Sequence, residues 1–508
     1  MSKPHLLNSL KKYFGFTEFR EGQEEIIEDV MKGRGVLGVL PTGVGKSLCF
    51  QLPSMLLPGT TIVISPLISL MVDQVKQLKA KGFKSVVALN SFMEPNEKRE
   101  VLHSLHKYRL IYLSPEMLQN QWVERALKKL SVDLFVIDEA HCISQWGHEF
   151  RTDYLKMYQM IEKLNKPTIL ALSATATPDV QTDIKFQLNC PHMVDHIYAM
   201  DKPNMSFAVE TYDHQDDKLN RIKSIVFSKR LPTMIYFSSR QSSELVAEEL
   251  NLALDQKVAF YHGGMDQTDR LLVQQQFMKD QLDIICCTSA FGMGVDKPNI
   301  RRVIHYHFPT QIESFIQEVG RAGRDSKPCA SLVLHTPSDH LLPRLLLQKE
   351  LPDESDVERL FYWLKNNELL LSNEEMEEQL QISESQWNFL KYHLEETNML
   401  MHSSIQTQSD VREIAKSRII SRLRERWNYK NEKFHEIVNW LHCEGCRRRK
   451  LYAPFQLGVK SPEVPCCDYC GFSIDDLDGE EEVVKSSDYH QSWDTRLKAI
   501  FLQERLNA

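Results

Sequence analysis

The sequence predicts an α/β chain with two tandem parallel-sheet units, followed by a helical module and a cysteine-bearing helical hairpin. Three observations carry that expectation. Short β-branched apolar runs alternate with amphipathic stretches between Val36 and Leu334, the pattern of parallel sheets covered on both faces. A glycine turn, Leu40-Pro41-Thr42-Gly43-Val44-Gly45-Lys46-Ser47, joins an apolar run to a helix start. Past residue 346 the strand pattern gives way to helical periodicity, and five of the eleven cysteines fall between Cys443 and Cys470.

In chain order, the first feature is Phe14-Gly15-Phe16, followed by Phe19-Arg20 and Gln23. An aromatic ring can stack on a purine, and a Gln amide can pair with adenine N6 and N7. The glycine turn follows the apolar run from Val36. Its backbone N–H groups can converge on oxyanions at a helix N-terminus. Lys46 offers a point charge for β- and γ-phosphates, and Ser47 a hydroxyl for Mg²⁺.

Predicted strands follow at Thr61 to Ile64, Val86 to Leu89, Leu110 to Leu113, Leu134 to Ile137 and Ile169 to Leu172. The fourth runs into Asp138-Glu139-Ala140-His141, where Asp138 can hold Mg²⁺ and Glu139 can activate water. The fifth runs into Ser173-Ala174-Thr175, small hydroxyl residues suited to linking a nucleotide site to whatever else the protein grips.

A second unit begins near Met205, with strands at Met234 to Phe237, Val258 to Tyr261, Ile284 to Cys287, Val303 to Tyr306 and Ser331 to Leu334. It has no second phosphate loop. It contains Gln317-Glu318-Val319-Gly320-Arg321-Ala322-Gly323-Arg324-Asp325, in which Arg321 and Arg324 share one helical face. Guanidinium groups from a neighbouring domain are suited to γ-phosphate charge.

Three short helices are expected at Asp356 to Lys365, Asn373 to Leu380 and Glu384 to Glu396. They resemble a helix-turn-helix, but the third carries little positive charge beyond Lys391, which favours packing or partner binding over DNA reading. From Asp410 to Asn428 and from Glu432 to Arg449, periodicity predicts a long antiparallel hairpin with a basic side. It leads to two Cys-x-x-Cys pairs at zinc-site spacing. Cys443, Cys446, Cys467 and Cys470 form the favoured quartet, with Cys466 a substitute. The domain bounds expected are 1–204, 205–345, 346–405, 406–475 and an acidic segment with a helix over 476–508.

Composition sets limits on function. With 42% hydrophobic and 26% charged residues over 508 positions, the chain reads as an ordinary globular protein of several domains. No apolar run reaches membrane-spanning length, and the N-terminus carries no secretory signal pattern. Scattered cysteines at 49, 142, 190, 286, 287 and 329 suit a reduced cytoplasmic protein. The net charge of −8 hides an asymmetry: basic residues pool from Arg412 to Lys433 and at Arg447 to Lys450, acids at 353–358, 374–378 and 475–482.

The motif series Thr42 to Ser47, Asp138 to His141, Ser173 to Thr175 and Gln317 to Arg324 resembles that of superfamily 2 helicases. The stretch Asp138-Glu-Ala-His-Cys-Ile-Ser-Gln-Trp-Gly-His-Glu-Phe-Arg151, with Phe291 to Asn299, narrows the resemblance to RecQ-family DNA helicases. That resemblance implies two RecA-like motor domains and ATP-driven 3′→5′ DNA unwinding on single-stranded, tailed or branched DNA in repair and recombination. It implies that Phe16 stacks on adenine, with Arg20 and Gln23 in the adenine-reading segment. Trp146, Phe150 and Arg151 would couple single-stranded DNA to hydrolysis, and rings that stack on bases contribute roughly 1–3 kcal/mol each. Asp296, Gln317, Arg321 and Arg324 would close the cleft. The family's single early zinc ligand aligns with Cys446, which makes Cys446, Cys466, Cys467 and Cys470 the alternative quartet. The chain is similar to a short form, the RecS type, without winged-helix and HRDC regions. An RNA helicase and an ATP-switched DNA clamp or adaptor are the rival expectations.

Overall fold

The computed structural model describes residues 3–144, 152–155, 157–254, 256–291, 297–401, 404–406 and 408–477. Trp146, Phe150, Arg151, Asp296 and the expected helix at 491–506 lie outside the described residues.

Seven parallel strands form the first sheet: β1 (Val36–Val39), β2 (Thr60–Ile64), β3 (Val86–Leu89), β4 (Leu110–Leu113), β5 (Val132–Ile137), β6 (Thr168–Ser173) and β7 (Val194–Ile197). Their order is β3-β4-β2-β5-β6-β1-β7. Strands β1, β2 and β4 are buried end to end, and β5 and β6 except at their first residues, as a sheet with helices on both faces requires. Because all strands point one way, β5, β6 and β1 lie side by side and deliver Asp138, Ser173 and the glycine turn to one edge. Strand β7 alternates between half-buried and exposed residues at the sheet margin. Its Asp195 and His196 mask the apolar signal, and they bond Lys185 and Asp29.

The second sheet comprises β8 (Met205–Thr211), β9 (Thr233–Tyr236), β10 (Val258–Tyr261), β11 (Ile284–Cys287), β12 (Arg302–His305) and β13 (Cys329–His335), ordered β10-β11-β9-β12-β13-β8 and parallel throughout. The glycine turn of the first sheet opens helix α1 (Leu48–Leu56), and the arginine pair follows α2 (Ile312–Val319).

Helices α3 (Glu354–Lys365), α4 (Asn373–Leu380) and α5 (Glu384–Glu396) match their sequence signals closely. Each begins with a capping box, at Asp353, Ser372 and Ser383, which satisfies orphan N–H groups reciprocally. Their shared core holds Leu360, Leu390 and the fully buried Trp387, whose Nε1 donates to Asn373 Oδ1 at 3.1 Å.

The expected hairpin is corrected. Residues Ser409–Leu441 form one helix, α6, followed by a short α7 (Arg447–Tyr452). At 33 residues α6 is about 50 Å long. No Gly or Pro interrupts it, and tertiary contacts hold the supposed turn helical: buried Lys430 bonds Glu350 at 2.6 Å, and Lys433 pairs with Glu313 at 3.0 Å. Further along, Phe434 stacks near Phe308 and Trp440 packs on Phe315.

The basic side of this helix is also largely spoken for. Lys416, Arg418 and Arg424 pair with Glu358, Glu396 and Glu354 of the helical module, and Arg422 with Glu425. Part of the first acidic pool, Glu354 and Glu358, neutralises basic residues of α6 in the fold. Exposed pairs of this kind add little stability individually, but they remove much of the expected basic face.

Trp387→Ala is expected to cost roughly 3–5 kcal/mol, read as a lower urea midpoint for the helical module.

Candidate nucleotide site and cysteine centre

The glycine turn adopts the backbone that its residues allow: Gly43 and Gly45 both have positive φ, 89° and 84°. Behind it, Gln23 Oε1 accepts from the Arg20 N–H at 2.9 Å, and its Nε2 donates to the carbonyls of Val44 and Gly45 at 2.8 and 3.1 Å. Arg20 Nη1 donates to the Gly43 carbonyl at 2.6 Å. Both ends of the Gln23 amide are therefore engaged, Oε1 by the Arg20 N–H and Nε2 by the loop carbonyls, whereas the sequence turns that amide toward a purine. Phe16 is half exposed nearby in sequence, as a stacking ring would be.

Asp138 is buried at the end of β5, with Ser65 Oγ 3.5 Å from Oδ2. Burial, reinforced by the adjacent Glu139 charge and opposed by Lys46, raises its carboxyl to about 7. Glu139 sits in the left-handed region at φ 50°, a conformation costing on the order of 1–3 kcal/mol for a residue with a side chain. Its Oε2 is buried with no hydrogen-bond partner and lies 3.4 Å from His141 Nδ1. The same His141 nitrogen lies 3.1 Å from Ser173 Oγ, which accepts from the Thr175 N–H at 3.2 Å. His141 thus joins the acid pair to Ser173 and Thr175, a link that the sequence argument did not assign. A buried carboxyl at Asp138 beside the half-buried Glu139, with the Ser47 hydroxyl on the facing loop, is a donor set that fits a divalent cation.

Gln317 is buried on α2, and the turn after that helix faces the phosphate loop. Thr42 Oγ1 donates to the Gly320 carbonyl at 2.9 Å. A Cβ at Gly320 would fall 2.1 Å from Thr42 Oγ1, and one at Gly43 would fall 3.0 Å from Arg324 Cγ. Arg324 therefore lies against the phosphate loop, while Arg321 is buried beside the Tyr236 hydroxyl. The void between the lobes here, lined by Thr42, Met200, Lys202 and Gly320, is about 10 Å³, room for no more than a water.

The connector between the sheets grips the arginine turn. Lys202 Nζ donates to the carbonyls of Gly320 and Ala322 at 2.6 and 2.9 Å, and Asn204 Nδ2 to those of Gly323 and Lys327 at 3.0 and 2.7 Å. Burial, with Arg324 and Arg321 adding, lowers Lys202 to about 8. From the cysteine region, fully buried Arg448 donates to the carbonyls of Lys202, at 2.6 Å, and Met205. Asp201 accepts from Gln456 and from the Lys460 N–H. Arg448 reads in sequence as one charge in a basic run; nothing local marks it as buried.

The cysteine expectation needs one correction. Cys446, Cys466, Cys467 and Cys470 converge, and Cys443 stands outside the group. Because α6 continues to Leu441, Cys443 leaves just past the helix end, where its sulfur lies 3.9 Å from Arg447 Nη1. Cys466 takes its place: its carbonyl accepts from the Phe207 N–H of β8 at 3.3 Å, beside the bridge from Phe207 to Cys467. The Cys446 and Cys466 sulfurs are 3.5 Å apart, close to the ~3.8 Å edge of a zinc–thiolate tetrahedron. Burial, with neighbouring sulfurs adding, raises Cys466 to about 11 and Cys470 to about 12. At Cys446 burial is outweighed by the Arg449 backbone N–H and the adjoining sulfurs, which lower its thiol. Such a cluster favours a thiophilic cation that displaces the protons, and the four-cysteine set is compatible with zinc.

Two parallel-sheet lobes, one presenting a phosphate loop and an acid pair and the other an arginine turn against it, define a helicase motor of the DEAD/DEAH class. Family models agree: DEAD/DEAH box helicase matches residues 20–184 and helicase conserved C-terminal domain matches residues 217–326. The chain is 41% identical to the probable ATP-dependent DNA helicase RecS of Bacillus subtilis over 98% of both chains. It is 39% identical to the ATP-dependent DNA helicase RecQ of Haemophilus influenzae over 71% of this chain, and the match spans 58% of that relative. The chain belongs to the RecQ family of ATP-dependent DNA helicases. Among solved structures, the DUF1998 helicase MrfA bound to DNA and AMPPNP superposes with a TM-score of 0.57 at 18% identity, covering 68% of this chain and 53% of that one. The helicase Lhr of Mycobacterium smegmatis gives 0.57 at 16% identity, over 81% and 61%. At that identity the likeness is one of fold. No helix among the described residues is long and apolar enough to cross a membrane.

Gly320→Ala is expected to lower kcat for ATP hydrolysis by about tenfold or more through the clash with Thr42; its Cβ would also fall 2.9 Å from the Ile316 carbonyl oxygen, so some loss of stability in the second lobe accompanies it. Steady-state ATPase assays alongside circular dichroism check this. Cys466→Ser is expected to lose bound zinc and lower Tm, whereas Cys443→Ser keeps it; elemental analysis of the purified variants separates the two quartets.

Proposed function

We propose that the chain couples ATP hydrolysis to 3′→5′ movement along single-stranded DNA and to unwinding of tailed or branched duplexes, in repair and recombination. The observation that carries this reading is the meeting of Arg324 with the phosphate loop across the lobe boundary, in a chain similar to RecS over its length. Residues 1–204 and 205–345 act as the two motor lobes. Residues 346–405 form a module for packing or protein partners, and 406–475 carry the cysteine centre. A bacterial cytoplasmic, nucleoid-associated location fits that role.

Lys46 and the glycine-turn N–H groups hold the β- and γ-phosphates; Ser47 and Asp138 would hold Mg²⁺, which neutralises phosphate charge. Glu139, whose buried Oε2 accepts no hydrogen bond and lies 3.4 Å from His141 Nδ1, positions and activates the attacking water. Arg321 and Arg324 stabilise the developing γ-phosphoryl charge, so turnover depends on lobe closure. Ser173 and Thr175, joined to the acid pair through His141, relay occupancy of the DNA path. Trp146, Phe150 and Arg151 are assigned by resemblance to that path, and Phe16, Thr42, Val44, Gln317 and Asp296 to the nucleotide.

The acidic third helix of the 346–405 module, with Glu384, Glu395 and Glu396, favours a second reading, an ATP-switched clamp that binds DNA without separating strands. Strand displacement distinguishes them. Release from a 3′-tailed but not a 5′-tailed duplex, dependent on hydrolysable ATP and stronger with DNA than RNA, is expected; DNA binding with no release would leave the clamp. Lys46→Ala is expected to lower DNA-stimulated ATPase by roughly 10²-fold or more while DNA binding persists.

A further inference from the structure

Three histidines from distant points in the sequence meet beside the second sheet. His335 ends β13, His340 closes the 3₁₀ turn Pro337–His340, and His442 caps the C-terminus of α6. One ring nitrogen from each lies within 4.8 Å of the others, and the Nε2 atoms of His335 and His340 are 3.2 Å apart. The ring centroids lie 5.1 Å apart for the two pairs involving His335, and 6.3 Å for His340 with His442.

We infer that His335, His340 and His442 form a second metal site, for a borderline divalent transition ion such as Zn²⁺ or Co²⁺, separate from the cysteine quartet. Two imidazole nitrogens bound to one such ion, each at about 2.0–2.1 Å, must lie near 3.3 Å from one another, which matches the His335–His340 spacing. An all-imidazole donor set favours these ions over Mg²⁺. His335 is buried with Nδ1 lacking any hydrogen-bond partner, so this ring has no anchoring partner on that side. His442 is exposed, leaving a coordination position for water. The negative end of α6's dipole, at His442, favours a cation there.

The local charges are mixed. Lys218 and Arg344 face the trio as cations and Asp339 as the anion. An ion bound here ties the far end of α6 to the lobe that carries the arginine turn, through ligands that share no residue with the cysteine cluster.

The test is cobalt titration of the full chain after dialysis against a mild chelator and back into metal-free buffer. The sulfur-to-cobalt absorption reports the cysteine quartet and total bound metal reports both sites. The wild-type chain is expected to take up two equivalents, the second without added sulfur charge transfer. His442→Gln, at an exposed position, and His340→Gln are each expected to take up one, with the thiolate band unchanged as proof of folding. Saturation of the wild type at one equivalent, or two equivalents in both variants, would overturn the site and leave the three rings as a hydrogen-bonded stack only.

Discussion

The hydrogen bond from the Thr42 hydroxyl to the Gly320 carbonyl is the point on which the motor turns. It exists because residue 320 has no side chain, so the backbone of one lobe can approach the phosphate loop of the other to within van der Waals contact. Asp138, Glu139 and Lys46 belong to one sheet, Arg321 and Arg324 to the other. In the proposed function neither set acts on a phosphoryl group alone, because the charges to be neutralised develop between them. In the proposed cycle, a contact this close converts nucleotide occupancy into a lobe position, and the lack of slack in the crevice makes the coupling stiff.

Control of that contact extends well beyond the two sheets. The connector at residues 200–206 is bonded on one side to the arginine turn, through Lys202 and Asn204, and on the other to the cysteine region, through Arg448. A fully buried guanidinium is costly unless its donors are met; here two carbonyls take Nη1 and Nη2, Asp201 lies 3.8 Å from Nη1, and Nε is left without a hydrogen-bond partner. The cysteine region also pairs with the edge strand β8, where Ser206 bonds Pro465 and Val209 bonds Asp468. The cysteine cluster therefore buttresses the connector between the two sheets rather than standing apart from them.

Charge distribution tells a similar story. The acidic helices of residues 353–396 and the basic face of α6 read as two surfaces with different partners, yet much of each is the other's partner. Lys430 and Lys433, placed by sequence on a solvated basic side, point into the interface with the helical module and α2. Helical periodicity alone could not distinguish a turn at Asn428 to Asn431 from continuous helix, because no residue there breaks one; packing on the second lobe decided it.

Local chemistry accounts for what was legible in the linear chain. Strand positions followed from β-branched runs, the phosphate loop from its glycines and lysine, and the helix starts of the 346–405 module from capping residues, because each of these signals acts over a few neighbouring residues. Long-range assembly accounts for the remainder: Cys466 in place of Cys443, the buried Arg448, the histidine trio and the unbroken α6 all depend on which distant segments share a surface. Edge strands β7 and β8 fall between, since one is masked by charged residues and the other gains its register only from β13 and the cysteine knuckle.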